Sequence, residues 1–199
     1  TIEPGEYLSI MGPSGSGKST LLNIIGLLDT PTSGTYLLDG EDVTSLPDSR
    51  LAAVRSRKIG FIFQFFHLIP RLTARQNIEL PLLLSGVGRR ERNERSASLI
   101  EAFGLSGRQH HRPDARSGGR RRRGAIARAV GKRPAVLRAD EPTGNLDRTA
   151  SGEIIHLMEQ LNRDGLTLVV VTHDPEIGGR AGRRIRVVDG RIAADARGA

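Results

Sequence analysis

One nine-residue stretch constrains this chain more than any other: Gly12-Pro13-Ser14-Gly15-Ser16-Gly17-Lys18-Ser19-Thr20. It fits G-x-x-x-x-G-K-[ST], a pattern whose glycines let a loop turn its backbone N–H groups inward around phosphate oxygens. The flanks suit that reading. Tyr7 to Met11 is short and apolar and reads as a strand, and Leu21 to Leu28 carries apolar residues at helical spacing. A helix beginning directly after the loop adds the positive end of its dipole. In such a loop Lys18 reaches β- and γ-phosphates, and the Ser19 hydroxyl is placed to ligate Mg²⁺.

Around the loop the pattern alternates. Gly34 to Val43 reads as a hairpin turning at Asp39-Gly40, Pro47 to Arg57 as a short helix with Pro47 early in it, and Ile59 to Phe63 as a buried strand ending at Gln64. Apolar residues at Ile78, Leu80, Leu82, Leu83 and Leu84 then precede an arginine-rich helix from Arg89 to Phe103. Gly124 to Val130 reads as a helix following a turn at Gly118-Gly119, and the stretch as a whole as a helical insertion. Ala135 to Asp140 returns to strand, and Thr149 to Asn162 to helix. Leu166 to Val171 is an apolar run broken only by Thr167, the mark of a parallel strand covered on both faces. Arg184 to Ile192 closes as a hairpin around Asp189-Gly190. This alternation predicts an α/β fold with ligands at the carboxyl ends of its parallel strands.

Composition narrows the partners. A chain of 199 residues suits one domain with a real core, and the absence of cysteine excludes a disulfide frame and any cysteine–metal site. No run approaches the roughly 18 apolar residues of a membrane span, and no signal peptide opens the sequence, so the expectation is a soluble, intracellular protein. The formal net charge is +8, but lysine occurs only at 18, 58 and 132. An excess made almost wholly of arginine reads as a compositional bias of the surface rather than a nucleic-acid footprint, and no specific nucleic-acid partner is expected.

The strand ends carry the remaining chemistry. Gln64 follows one strand, Asp140-Glu141 another and His173 a third. A parallel sheet sets such ends along one edge, beside the phosphate loop. There Asp140 can hold Mg²⁺ through water, Glu141 can polarise an attacking water, Gln64 can ligate the metal or orient water, and His173 can hydrogen-bond a γ-phosphate. Taken singly, a glutamine or histidine is more often a surface or structural residue, and Asp-Glu pairs are common at helix starts. The weight lies in their co-occurrence in one fold.

These residues together resemble the ATP-binding subunit of an ABC transporter. Gly12 to Thr20 matches Walker A, Gln64 the Q-loop, Ser117-Gly118-Gly119 the signature core, Val136 to Glu141 Walker B with its following Glu, Gly144-Asn145-Leu146-Asp147 the D-loop and His173 the switch histidine. Gly26 to Gly34, Phe65 to Pro70 and Asp140 to Asp147 are similar to the lipoprotein-release and macrolide-export group. The resemblance implies a P-loop NTPase fold of ABC type: a mostly parallel central sheet, an antiparallel β-subdomain and an inserted helical subdomain. Residues 1–64 and 134–199 would form the nucleotide-binding core and 65–133 the helical part. It implies ATP and Mg²⁺ as ligands and a head-to-tail dimer with a second ATP-binding subunit. Each ATP would face Ser117, Gly118 and Gly119 of the other subunit. It further implies a membrane permease as partner, docked near Phe65 to Leu84, with the subunit on the inner face of the membrane and a lipophilic substrate or lipoprotein exported or extracted. The family's adenine-stacking aromatic lies upstream of the strand leading into Walker A. The given sequence starts after that point, so weakened adenine binding and an uncovered β-edge are expected.

Some positions depart from the family pattern. The signature usually reads L-S-G-G-Q-x-Q-R-V; here Arg116 stands for Leu, Arg120 and Arg122 for Gln, and Gly124 for Val. Arg138 occupies an apolar slot of Walker B. Setting those four arginines aside leaves 26 basic against 22 acidic residues, a net of +4. An unpaired charge in a strand buried on both faces costs several kcal/mol, so Arg138 is expected to find a carboxylate, reach solvent or weaken the fold. Each departure is one base change to G away from the family residue. That pattern points to decay of the gene or errors of sequence at several of these positions; taken as they stand, the altered signature gives the alternative function, a nucleotide-binding module with impaired hydrolysis.

Overall fold

In the computed structural model, which describes residues 1–198 apart from 65–66, 114–117 and 145, the glycine loop joins β1 (Tyr7–Met11) to α1 (Lys18–Ile25). β2 (Leu37–Leu38) and β3 (Glu41–Asp42) form a small antiparallel ladder, followed by α2 (Asp48–Lys58) and β4 (Ile59–Ile62). Three helices come next: α3 (Ala74–Leu84), α4 (Arg89–Ala102) and α5 (Gly118–Val130). Alternation resumes with β5 (Val136–Asp140), α6 (Arg148–Arg163), β6 (Thr167–Val171) and α7 (Pro175–Gly179). β7 (Arg183–Val188) and β8 (Arg191–Arg197) complete the order.

The main sheet runs β4-β5-β6-β1-β7-β8. Every pairing is parallel except that of β8 with β7. The period of two along each strand sorts side chains into two layers. Leu168 and Val170 of β6 join Leu137, Ala139 and Ile62 in a core closed by Ile126, Ile154 and Met158 of α5 and α6. Val169 and Val171 point the other way, into a cluster with Leu8, Ile10 and Leu22 of α1. Two covered faces explain the apolar run Leu168–Val171 of β6, as its sequence predicts. Ser9 is the polar exception on β1; it is fully buried and its hydroxyl donates to the Gly178 carbonyl at 3.0 Å.

Arg138 sits on the α1 face of β5, since Leu137 and Ala139 take the other. It is 2% exposed, and it neither reaches solvent nor forms an ion pair within salt-bridge distance among the described residues. Its Nη1 donates to the Leu22 carbonyl (3.0 Å) and to Asn23 Oδ1 (3.2 Å). The guanidinium lies 5.2 Å from the ring centroid of Phe61, its register partner on β4, and 5.7 Å from that of Phe63. In place of a bonded carboxylate or solvent it has a cage of carbonyl, amide and aromatic faces, with the Asp140 carboxylate acting on it from two residues along the strand. Room for it comes from Gly26, where a Cβ would stand 2.8 Å from Arg138 Nη1 and 3.1 Å from Phe61 Cε1.

Other expectations shift. The 34–43 hairpin narrows to two residue pairs turning at Asp39 and Gly40, whose φ values of 56° and 80° suit a tight hairpin turn. Beyond that ladder the Thr44 hydroxyl, not a strand carbonyl, accepts from the Tyr36 N–H at 2.7 Å. Pro47 caps α2 from outside, and Gly118-Gly119 forms the first turn of α5 instead of a turn before it.

Candidate nucleotide site

The phosphate loop is built by constraint. Gly12 has φ 152°, and a Cβ there would collide with the Val187 carbonyl at 2.0 Å, so only glycine lets β1 end beside β7. The loop is anchored from below by the Gly190 N–H, which donates to the Ser16 carbonyl at 3.0 Å. Gly17, with φ 95°, precedes α1 and supplies no side-chain cap. α3, α6 and α7 differ: Thr73, Asp147 and Asp174 accept hydrogen bonds from the first backbone N–H groups of those helices. The start of α1 thus keeps its donors for an anion. Lys18 folds back over the loop, its Nζ donating to the Pro13 carbonyl (2.6 Å) and to Ser16 Oγ (3.4 Å). Ser19 and Thr20 are exposed in the first turn, and Pro13, Ser14 and Gly15 form the exposed rim.

Asp140 ends β5, two residues from Arg138 and therefore on the same face, toward α1. Burial pushes its carboxyl above the ordinary carboxylate range, and Glu141 adds to the rise; Arg138 and Lys18 pull it down. Glu141 holds a left-handed backbone (φ 45°), costly for a residue with a Cβ, and this swings its side chain off the strand direction. Its Oε1 accepts the His173 N–H at 3.0 Å and lies 2.7 Å from His173 Nδ1; its Oε2 accepts from the Thr172 hydroxyl at 3.2 Å. His173 is itself well exposed. Gln64 follows β4 and is exposed; it lies beside Gly144, where a Cβ would stand 3.6 Å from Gln64 Nε2.

Three strand ends and the loop after β1 therefore meet along one edge, as expected. The signature does not join them within the chain. Gly118 and Gly119 pack against Leu146 and Ala150, at the start of α6, while the phosphate loop packs against Val187 and Gly190. Ser117, Arg116, Asn145 and Phe65-Phe66 lie outside the described residues.

Two residues at this edge escaped the sequence reading. Thr172 is fully buried and donates to Glu141; its signal is only a polar residue between an apolar strand and a histidine. Arg122, also fully buried, donates through Nη2 to the carbonyls of Gln64 (3.1 Å) and Gly144 (2.9 Å). Burial, reinforced by Arg121, pushes its pKa down to about 10.

Two cavities border this region. One, of about 450 Å³, opens beside Met11, Gly12, Pro13 and His173. The other, of about 330 Å³, lies before Gln64, between α2, β4, α3 and α5; Phe61, Phe63 and Pro81 floor it, and Arg55, Arg128 and Lys132 rim it. Among the described residues no three His, Asp or Glu side chains gather into a metal cluster, and no helix is long and apolar enough to cross a membrane.

Comparison with known proteins places this arrangement. The sequence model described as ABC transporter matches residues 1–144. An uncharacterised ABC transporter ATP-binding protein of Bacillus subtilis, YknY, is 54% identical over 96% of this chain and 83% of its own length. The macrolide export ATP-binding/permease protein MacB of Rhodopirellula baltica is 53% identical over 98% of this chain, which spans 29% of that longer protein. The dimeric post-hydrolysis structure of the ATP-binding cassette MJ0796 bound to ADP and Pi superposes with a TM-score of 0.87 at 43% identity, over 99% of this chain and 87% of that one.

Proposed function

The chain belongs to the ABC transporter family and is an ATPase domain of that family, and on this premise we propose that it powers a membrane permease by hydrolysing ATP between two copies of itself. The observation that carries the reading is Glu141, turned out of β5 by its positive φ and set between Asp140 and His173, along the edge that bears the phosphate loop. In this reading the loop N–H groups from Gly12 to Thr20 and Lys18 hold the β- and γ-phosphates. Glu141 polarises the attacking water, and His173 holds Glu141 in place and contacts the γ-phosphate. Ser19, Gln64 and Asp140 (through water) are oxygen donors of the kind Mg²⁺ accepts. Bound there, the ion would neutralise charge on the phosphates.

The position of Gly118 and Gly119, turned toward α6 and away from the loop, supports a site completed in trans by a second subunit. The dimeric state of the MJ0796 cassette supports the same reading. The exposed Leu83 and Leu84, beside the cavity floored by Phe61, Phe63 and Pro81, support permease docking along Phe65 to Leu84, past Gln64. Through that partner the chain would sit on the inner face of a membrane. The MacB relative is named for macrolide export, which favours export or extraction of a lipophilic substrate or lipoprotein here. Residues 65–133 would act as the helical subdomain relaying the docking signal.

Mg²⁺-dependent ATP hydrolysis by the chain and by Glu141→Gln tests the proposal. The expected result is a loss of about 100-fold or more in turnover with ATP binding retained. Equal turnover in both would refute the assignment of Glu141. Binding without turnover in the parent chain would instead favour the slow-hydrolysing module, which rests on the arginines crowding the start of α5.

A further inference from the structure

Arg122 replaces a family glutamine, and the fold places it with care. It is fully buried in the second turn of α5, and one of its nitrogens, Nη2, bridges two main-chain carbonyls from different segments. One is Gln64, two residues past β4; the other is Gly144, at the end of the turn that begins with Glu141, where the Gly144 N–H donates to the Glu141 carbonyl at 3.0 Å. The two segments also touch each other, with Gln64 Nε2 near the Gly144 Cα. The same helix takes the His67 carbonyl through Arg128 Nη1 at 2.7 Å, so α5 grips the main chain both at Gln64 and beyond it.

We propose that Arg122 is a positioning residue: by holding the Gln64 and Gly144 carbonyls with one charged donor, it fixes the Gln64 amide relative to the turn that carries Glu141. The inference rests on the proposed role of Gln64 toward Mg²⁺. A charged donor in a site closed to water holds carbonyls more firmly than a neutral amide does. Without it, Gln64 and the Glu141–Gly144 turn are free to settle independently, and the oxygen donors no longer meet in one geometry.

The test is nucleotide binding with and without Mg²⁺, followed by equilibrium titration of ATP in excess Mg²⁺ and in EDTA. Arg122→Met keeps the length and removes the donors; Arg122→Gln restores the family residue, and Arg122→Lys keeps a charge. The expected result for Arg122→Met is a loss of about 5-fold or more in the Mg²⁺-dependent gain in affinity, with the EDTA affinity within about 2-fold of the parent. Gln64→Ala should remove the same gain, and the double variant no more than Gln64→Ala alone. Arg122→Gln should restore part of it. Should Arg122→Met fail to fold, the Lys and Gln variants carry the same comparison against Gln64→Ala. A gain unchanged in the Arg122 variants but lost in Gln64→Ala overturns this inference alone, as do losses that add in the double variant. A parent chain with no Mg²⁺-dependent gain overturns it together with the reading of Gln64.

Discussion

Among the described residues Arg122 and Arg138 are the two least exposed arginines, at 0% and 2%, and their surroundings differ in kind. Arg138 spends its contacts on regular elements and their edge: a carbonyl and an amide of α1, the face of Phe61 on β4 and that of Phe63 just past it. Arg122 donates to loop carbonyls, those of the second residue after β4 and the fourth after β5. Burial lowers the pKa of both. Arg138 rests on no carboxylate within salt-bridge distance among the described residues, which shows how a buried guanidinium can be held by neutral partners. Its five donors and flat faces accept several weak neutral partners at once. The difference predicts where each loss should register. Arg138 belongs to the frame, so its removal should appear in stability. Arg122 belongs to the site, so its removal should appear in metal-linked binding.

The largest effect is expected from Arg138→Ala. Truncation empties the space between β5 and α1 and should cost about 3 kcal/mol or more in urea unfolding, as large-to-small changes in a packed core do. Gly26 sharpens the point. Its φ of −77° suits any residue, so glycine is needed there only for the close approach of Arg138 and Phe61. Gly26→Ala should therefore destabilise by about 1–3 kcal/mol through overpacking. In an Arg138→Leu background the same change should cost far less. Additive costs in that cycle would show that Arg138 does not occupy the space Gly26 leaves.

A smaller effect is expected where frame and site meet. Asp140 shares a face with Arg138, yet burial raises its pKa from the ordinary 3.8 despite that neighbour. A raised folded pKa means ionisation costs more in the folded than in the unfolded chain. The carboxylate therefore destabilises the nucleotide-free fold above its folded pKa, and the penalty vanishes below about 3.8, where both states are protonated. Asp140→Asn should stabilise the chain at neutral pH while abolishing Mg²⁺-dependent hydrolysis, a trade-off found where function needs a strained group. Thermal unfolding from pH 7 down to pH 4 checks it. An advantage that persists unchanged at the acid end would rule out ionisation as its source.

The same contrast explains what the sequence can disclose. The phosphate loop, the buried β6 and the two Asp-Gly hairpin turns are local patterns, and local geometry enforces them. Thr73-x-x-Gln76 was equally legible as a capping box, and it starts α3, which the apolar residues alone did not delimit because Pro81 interrupts their pattern. The start of α5 was obscured by Arg120 to Arg123, whose unbroken charge hides the helical period that buries Arg122. The cage around Arg138 draws on residues 22, 23, 26, 61 and 63, brought together only by the crossing of α1 over β4 and β5. The turn of Glu141 toward His173 and Thr172 likewise depends on β6 lying beside β5. Separation along the chain, not weakness of the contacts, conceals them.

Gly124 completes the comparison, a departure with no side chain to hold a contact. It lies inside α5, buried, and a Cβ there would meet Leu68 Cδ1 at 3.7 Å, an ordinary van der Waals distance. The glycine thus contributes only backbone freedom in the unfolded chain and an unfilled place in the folded one. Gly124→Ala should stabilise by about 0.5–1 kcal/mol, the helix-propensity difference at an interior position, measurable as a shift in the urea midpoint with an unchanged slope. Because the methyl approaches neither Gln64 nor Gly144, the Mg²⁺-dependent gain in ATP affinity should stay as in the parent. If Gly124→Ala instead weakened that gain, α5 would be transmitting its packing to the site through its backbone. Arg122 would then be one part of a helix-wide linkage instead of a strut between two carbonyls.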